Sequence, residues 1–215
     1  MALVASKKYN YIFFHLPKNA GVSISNALIN EEYSLILKKF SIYFLKYLKG
    51  KNNNYYISIK NKKLFFFNSH ITCYDFYNKT NRKQFDNSFK FAVIRNPWDR
   101  MVSRYFYSKK INNYFKNFSF EQFVNYDLKN NQKVLNQFEF CTRNKSDFCL
   151  DRVIRFENIN DDFTETYKNI FKKSIILKNM NSTAHDDYKK YYNNNFKDKI
   201  YSNFKKDINF FKYKL

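Results

Sequence analysis

The sequence predicts an α/β protein in which helices cover both faces of a mostly parallel sheet. Short, continuously apolar runs recur along the chain, as is typical of strands buried on both faces. Segments with apolar residues at helical spacing separate these runs, and the alternation indicates parallel strands joined by helices. Ligands of such sheets bind beyond the carboxyl ends of the strands. The predicted strands are Tyr11–Phe14, Leu64–Phe67, Phe91–Ile94, Val153–Phe156 and Ile175–Leu177.

Capping signals and apolar spacing predict the helices. Asn96 can cap a helix whose first turn accepts Pro97, and Ser119 with Gln122 forms a capping box for a helix near 120–129. Residues 33–48 and 161–172 have helical character, whereas the Asn- and Lys-rich stretches 51–63 and 108–117 are expected to be solvated loops. Apolar residues at helical spacing are Val22, Ile24, Ala27 and Leu28 in one helix, Trp98, Met101, Val102 and Tyr105 in a second, and Phe196, Ile200, Phe204, Ile208 and Phe211 near the end.

Composition limits the class of protein. A chain of 215 residues with 44% hydrophobic residues can bury a real core, and we expect one domain over 1–215. The formal charge of +21 favours anionic ligands, although part of it reflects a residue bias towards Lys. Cys73, Cys141 and Cys149 lack a CxxC spacing, so we expect free buried thiols rather than disulfides or a zinc site. No apolar run reaches the length of about 18 residues that a membrane span needs, and the prediction is a soluble, cytoplasmic protein.

The segment after the first predicted strand has the parts of an anion cradle. Pro17-Lys18-Asn19-Ala20-Gly21-Val22-Ser23 combines a turn of small residues, a helix N-terminus, a lysine and a hydroxyl. The lysine precedes the glycine, so the segment is not the GxxxxGK[ST] loop of P-loop NTPases. An ordinary strand-to-helix turn with a solvated lysine explains the same residues.

The segment after the third predicted strand supplies a second cationic position. Arg95 ends the strand, and Ser103 lies two turns into the following helix with Arg100 and Arg104 near the same face. The arginine fork suits a phosphate monoester, and the serine hydroxyl adds a donor. An arginine that only caps the helix is the alternative.

Together the two segments resemble the PAPS-dependent sulfotransferases, whose fold is a P-loop-like sheet flanked by helices and whose donor is 3'-phosphoadenosine-5'-phosphosulfate. The resemblance places the 5'-phosphosulfate at His15–Ser23 and the 3'-phosphate at Arg95–Tyr105. The Arg-Asn-Pro-x-Asp-Arg-x-x-Ser-x-Tyr string is the more specific signal and is similar to the carbohydrate branch of the family. Further similar segments are His70–Phe76, which resembles the block of the catalytic histidine in uronyl 2-O-sulfotransferases, then Val153–Ile159, Asp207–Tyr213, and the loop Asn181-Ser182-Thr183, which the family wraps around the nucleotide.

The resemblance implies transfer of a sulfuryl group from PAPS to a hydroxyl of a carbohydrate, glycolipid or similar acceptor, giving PAP, without a metal. We expect Lys18 to stabilise the leaving 5'-phosphate and His70 to take the proton of the acceptor, since an imidazole accepts a proton near neutral pH. Glu157 and Asp75 are the alternative bases if His70 only bonds a loop. The implied donor-binding residues are Pro17, Lys18, Asn19, Ala20, Gly21, Val22, Ser23, Arg95, Ser103, Asn181, Ser182 and Thr183.

The chain departs from the usual family pattern in a few positions. Asn19 and Val22 replace the threonines of the more usual loop, and Ser23 or Ser25 could supply the missing hydroxyl. Of the other histidines, His15 is expected to be structural, and His185 to be solvated or near the acceptor. Golgi members of the family carry an anchor and disulfides, which the sequence does not show.

Two rival functions fit parts of the sequence. A kinase of nucleotides or small molecules shares the phosphate cradle, but it needs a Walker lysine and an acidic magnesium ligand. A basic nucleic-acid-binding protein fits the charge, but it needs a recognised module or a basic, aromatic face. Neither pattern is present, so no nucleic-acid partner is expected, and the oligomeric state has no signal in the sequence.

Overall fold

A mixed sheet forms the centre of the protein. The structure, a computed structural model, describes residues 3–32, 54–59, 62–67, 70–79, 82–131, 136–144, 146–177 and 186–214, with 54–59 and 62–67 as backbone only. Within these residues the sheet has six strands, which lie in the order β3-β4-β1-β2-β5-β6. They are β1 (Leu3–Ser6), β2 (Tyr11–Phe14), β3 (Asn54–Ile59), β4 (Lys62–Phe67), β5 (Phe89–Ile94) and β6 (Arg152–Arg155).

Four of these strands run in one direction. β2 pairs in parallel with β5, and β5 pairs in parallel with β6. β1 is antiparallel to both β2 and β4, so β4 has the direction of β2. Leu3 of β1 lies opposite both Phe14 and Phe67, the last residues of β2 and β4. The carboxyl ends of β2, β4 and β5 therefore meet at one edge of the sheet.

Helices connect the strands. The long helix after β5 begins at Asn96, whose side chain accepts a hydrogen bond from the Trp98 N–H, and Ser119 and Gln122 form the expected capping box. The helices are α1 (Gly21–Glu32), α2 (Cys73–Lys79), α3 (Arg82–Asn87), α4 (Pro97–Ile111), α5 (Phe120–Asn130), α6 (Gln137–Phe140), α7 (Ile159–Phe171) and α8 (Asn194–Phe211), with short 3-10 turns at Asn113–Phe115, Phe156–Asn158 and Tyr188–Tyr191.

Successive strand residues point to opposite sides of the sheet, and both faces of β2 and β5 are buried. Phe13 and Phe91 pack against α1 and α7 on one face. Phe14 packs against α2 and α3 on the other, where the free, buried thiols Cys73, Cys141 and Cys149 also meet. A third cluster joins α4, α5 and α8 beyond the end of β5. The predicted α/β class with helices on both faces is confirmed.

Several predicted elements differ from the structure. Ile175–Leu177 is not a strand: Ile176 is 91% exposed, while Ile175 and Leu177 pack against the α1 and α7 cluster outside the sheet. The loop prediction for 51–63 is wrong for 54–59 and 62–63, where aromatic and β-branched residues allow β3 and the start of β4. The loop predicted at 108–117 begins inside α4, which continues to Ile111. The helix predicted over 33–48 lies outside the described residues.

Candidate functional site

The turn between β2 and α1, which we call the cradle loop (residues 15–23), has a constrained backbone. Lys18 and Ala20 both have positive φ, 65° and 55°. Residues with a Cβ adopt this left-handed conformation at a cost of roughly 1–2 kcal/mol. The tight turn leads directly into α1 at Gly21, so the helix N-terminus, where backbone N–H groups lack helical partners, faces the loop.

Gly21 is required by a close approach to His15. A Cβ at Gly21 would lie 1.7 Å from Cδ2 of the His15 ring, and the φ of Gly21 is not positive. His15 is buried and stacks on Phe13 at a centroid distance of 6.2 Å, so its ring cannot move aside freely. His15 is thus part of the loop's packing, as the sequence predicts.

Asn19 holds the cradle loop to the sheet. The side chain is 1% exposed, and its Nδ2 donates to the Val93 carbonyl at 2.7 Å and to Oε1 of Gln137 at 2.8 Å. The amide therefore points into the protein, and binding of the donor by Asn19 through its backbone N–H stays a prediction. Ser25 is likewise buried, and its hydroxyl has no hydrogen-bond partner among the described residues.

Arg95 joins the end of β5 to the cradle loop. Its Nη1 donates to the Lys18 carbonyl at 3.1 Å, and its Nε donates to Asp99 at 2.7 Å. The guanidinium also stacks over the Phe156 ring at 3.9 Å from the centroid. These contacts bring together the two cationic positions that the sequence places 77 residues apart.

Gln137 links three parts of the site. Its Oε1 accepts from the Arg95 N–H at 3.0 Å as well as from Asn19, and its Nε2 donates to the Arg95 carbonyl at 2.8 Å. Asp207 accepts the backbone N–H groups of Gln137 and Phe138, both at 2.8 Å, and so caps α6. Neither role had a signal in the sequence, because the partners are far apart along the chain.

The first turns of α4 place two more arginines behind the cradle. Arg100 is buried and donates from Nε to the Pro17 carbonyl at 3.0 Å. Its burial, with the charge of Arg104 nearby, lowers the pKa of Arg100 to about 9. Arg104 is bound by both oxygens of Asp127, at 2.6 and 2.7 Å. Ser103 lies between them and is 2% exposed.

Lys18 lies among other cations at the mouth of the cradle loop. Burial and then the charges of Arg95, Arg104 and Lys110 lower the pKa of Lys18 to about 8. Its ammonium lies 3.9 Å from the centroid of the Tyr107 ring. An anion placed beside these cations would favour the charged form of Lys18 again.

His70 stands at the same edge of the sheet, just after β4. Its Nδ1 lies 2.9 Å from the His15 carbonyl, and its ring meets the His15 ring edge-on at 5.0 Å. A carbonyl oxygen only accepts, so Nδ1 carries the proton and Nε2 has the lone pair in the neutral ring. The residue is exposed at one side, but partial burial of the ring lowers the pKa of His70 from 6.5. The charges of Arg100 and Arg104 lower it further, and the hydrogen bond to the His15 carbonyl opposes the shift.

The alternative bases are differently placed. Glu157 accepts the Asn96 N–H at 2.7 Å and the Tyr213 hydroxyl at 3.2 Å, so both carboxylate oxygens are used in joining β6 to α4 and the C-terminal residues. Asp75 is half-buried in the first turn of α2. Asn181, Ser182, Thr183 and His185 lie outside the described residues.

The remaining cradle residues have mixed exposure. Pro17, Gly21 and Ser23 are buried, Ala20 is half-buried, and Val22 is 38% exposed in the first turn of α1. Tyr107, which the sequence reasoning missed, lies four residues after Ser103 on α4. Helical spacing could have found it, since residues four apart share a face.

In the described part of the chain, no group of three or more His, Cys, Asp or Glu residues is arranged to hold a metal ion. No helix there is long and apolar enough to cross a bilayer. The cytoplasmic location expected from the sequence stays a prediction.

Comparison with known proteins identifies the family. One relative is an uncharacterized protein of Archaeoglobus fulgidus, 31% identical over 113 residues, which are 53% of this chain and 92% of the relative. No solved structure matches significantly. A model of the sulfotransferase family matches residues 1–214, and the chain therefore belongs to the sulfotransferase family.

Proposed function

We propose that the protein, as a single domain over 1–215, moves a sulfuryl group from PAPS to a hydroxyl of a carbohydrate or similar acceptor. The observation that carries the proposal is the contact of Arg95 with the Lys18 carbonyl. It joins a cradle at the end of β2 to a cationic position at the end of β5, with His70 beside them. Two separated anionic groups on one nucleotide match this arrangement.

The proposed donor site has two parts, one for each phosphate of PAPS. The N-terminus of α1 and the Lys18 ammonium would hold the 5'-phosphosulfate, since helix N-termini and lysines both attract phosphate. Arg95 and Ser103 would hold the 3'-phosphate and distinguish PAPS from ATP. Two of the N–H groups of Arg95 are already used by Asp99 and Lys18. The guanidinium has five such donors in total, which leaves others for a phosphate.

The proposed reaction is a displacement at sulfur. The acceptor oxygen forms a new S–O bond while the S–O bond to the 5'-phosphate breaks, and the products are a sulfate ester and PAP. Nε2 of His70 takes the proton of the acceptor hydroxyl, and Lys18 stabilises the negative charge that grows on the leaving phosphate. The lowered pKa of His70 keeps the ring neutral, as a base must be, near pH 7.

Calorimetry tests the nucleotide. PAP should bind at moderate salt, whereas ATP should bind more weakly and single-stranded DNA at most nonspecifically. Tight binding of ATP or DNA together with no binding of PAP would favour the kinase or the nucleic-acid-binding function and sink this proposal.

Two variants test the chemistry with labelled PAPS and a panel of hydroxylated acceptors. Lys18→Ala should abolish transfer. His70→Asn keeps an N–H donor for the His15 carbonyl but lacks the basic nitrogen, so turnover should fall by about 10²–10⁴-fold while PAP binding survives. Lys83→Ala, at an exposed lysine of α3, serves as the control for lost surface charge. Normal turnover in His70→Asn removes the assignment of the base.

A further inference from the structure

The contact between Lys18 and Tyr107 has no role in the scheme above. The ammonium lies 3.9 Å from the ring centroid, well inside the range of about 6 Å for a cation–π interaction. Tyr107 projects from α4 one turn after Ser103, and the residue is 42% exposed. The ring face that meets the lysine therefore borders both the cradle and solvent.

The charges that act most strongly on Lys18 are those of other cations. The cations that face it are Arg95 from the end of β5, and Arg104 and Lys110 from α4. Together with burial they lower the pKa of Lys18 to about 8. A long, flexible side chain in this position is driven towards open water, away from the place where an anion would use it.

The nearby carboxylates are engaged elsewhere. Asp99 binds Arg95 at 2.7 Å, and Asp127 binds both nitrogens of the Arg104 fork. Among the described residues, Lys18 has no ion pair with either of them. The Tyr107 ring is thus the attractive partner of the ammonium in the described structure.

We propose that Tyr107 is a positioning residue whose ring holds the Lys18 ammonium at the cradle until the donor's phosphate replaces the ring as its partner. The proposal rests on the donor site assigned above. An aromatic face suits this task because it attracts a cation without a counter-charge, and it releases the cation when an anion arrives. A carboxylate at position 107 would instead compete with the phosphate.

A pair of substitutions separates the ring from its hydroxyl. Tyr107→Phe keeps the ring face and should retain near-normal kcat/KM for PAPS. Tyr107→Leu removes the face and should lower kcat/KM by about 3- to 30-fold, the range of a cation–π contact. In Tyr107→Leu the alkaline limb of the pH profile should also move to lower pH than in the normal enzyme, because the ring no longer stabilises the charged form of Lys18. Tyr201→Leu, at a tyrosine of α8 with 41% exposure, is the matched control and should behave normally.

A direct measurement does not depend on catalysis. Lysines are reductively methylated with ¹³C, which preserves their charge, and the Lys18 signal is assigned by its absence in Lys18→Arg. The signal should be shifted upfield by the Tyr107 ring current, retain the shift in Tyr107→Phe and lose it in Tyr107→Leu. Addition of PAP should remove the shift in the normal protein.

The outcomes distinguish the two proposals. An unshifted Lys18 signal, or equal signals and equal kcat/KM in the Leu and normal enzymes, overturns the role of Tyr107 even if sulfuryl transfer is observed. A ring-shifted Lys18 signal that does not change when PAP is added refutes the proposal that the phosphate replaces the Tyr107 ring as the partner of Lys18. If the shift depends on Tyr107 and responds to PAP but no acceptor is sulfated, the role of Tyr107 stands and the proposed sulfuryl transfer is contradicted.

Discussion

Lys18 and His70 have pKa values moved in the same direction by the same cause. Burial and neighbouring arginines disfavour the charged form of each group. For His70 the effect favours the neutral form that a base needs, whereas for Lys18 it weakens the charge that a phosphate needs. The two groups thus limit the useful pH range from opposite sides.

The pH dependence of kcat/KM for PAPS should be bell-shaped, because this parameter reports groups of the free enzyme. Activity rises as pH increases through the pKa of His70, which lies below 6.5, since only the neutral ring accepts a proton. It falls as pH increases through about 8, where Lys18 loses its proton. Initial rates at limiting PAPS between pH 5 and 10 measure both limbs.

Two variants assign the limbs of this profile. Lys18→Arg keeps its charge throughout and should remove the alkaline limb from whatever activity remains. His70→Asn should remove the acidic limb. An alkaline limb near pH 8 that persists in Lys18→Arg shows that another group causes it.

At the scale of elements, the turn from β2 to α1 depends on Gly21. A methyl group there overlaps the buried His15 ring, so Gly21→Ala should lower the free energy of unfolding by about 1–3 kcal/mol, in the range of overpacked buried sites. Urea unfolding followed by circular dichroism measures the change. PAP affinity should fall with it, because the cradle loop is displaced.

Removal of the obstructing ring provides the control for this prediction. His15→Ala combined with Gly21→Ala should be less destabilised than the sum of the two single variants, since residues in contact couple. Strict additivity would mean that the overlap is relieved elsewhere and that the close approach does not explain the glycine.

Gln137 holds the ends of three elements together. Gln137→Met has similar volume but leaves the Arg95 N–H, the Arg95 carbonyl and one Asn19 bond without their buried partner. Each such group costs about 1–3 kcal/mol, so the three together should lower the free energy of unfolding in urea by at least about 3 kcal/mol. Lys83→Met, at an exposed site, should change stability by less than about 0.5 kcal/mol. A Gln137→Met protein as stable as the parent contradicts the linking role.

At the scale of the whole molecule, donor binding should be visible as thermal stabilisation. A ligand of the folded state at 100 times its Kd adds about 2.7 kcal/mol. For a chain of 215 residues this corresponds to a rise in Tm of roughly 5–10 °C. AMP lacks the 3'-phosphate that Arg95 and Ser103 would bind, so it should give a smaller shift at equal concentration.

Differential scanning fluorimetry with PAP, AMP and inorganic sulfate checks this prediction at fixed ionic strength. Equal shifts from PAP and AMP would contradict the assignment of the 3'-phosphate site. The net charge of +21 makes the control for ionic strength necessary, because many anions bind a basic protein weakly.

The sequence predicted those parts of the fold that depend on local pattern. The buried strands at Tyr11–Phe14 and Phe91–Ile94 and the capped helices after Asn96 and Ser119 are confirmed. Strand β1 was not predicted because Leu3–Ser6 is too short to show a pattern. The strand predicted at Ile175–Leu177 is absent because two of its apolar residues pack against the core outside the sheet.

By itself, the sequence determined where the candidate site lies: Lys18, His70 and Arg95 each follow an apolar strand, and strands of one direction end at a common edge. Only the tertiary structure decided which side chains surround them. In the structure the Asn19 amide points inward, and Glu157 is hydrogen-bonded to Asn96 and Tyr213. Gln137 and Tyr107 lie beside the cradle loop. Such contacts join residues 42 to 118 positions apart. A local sequence pattern cannot predict which distant side chain forms the hydrogen bond of a buried polar group or lies beside a charge.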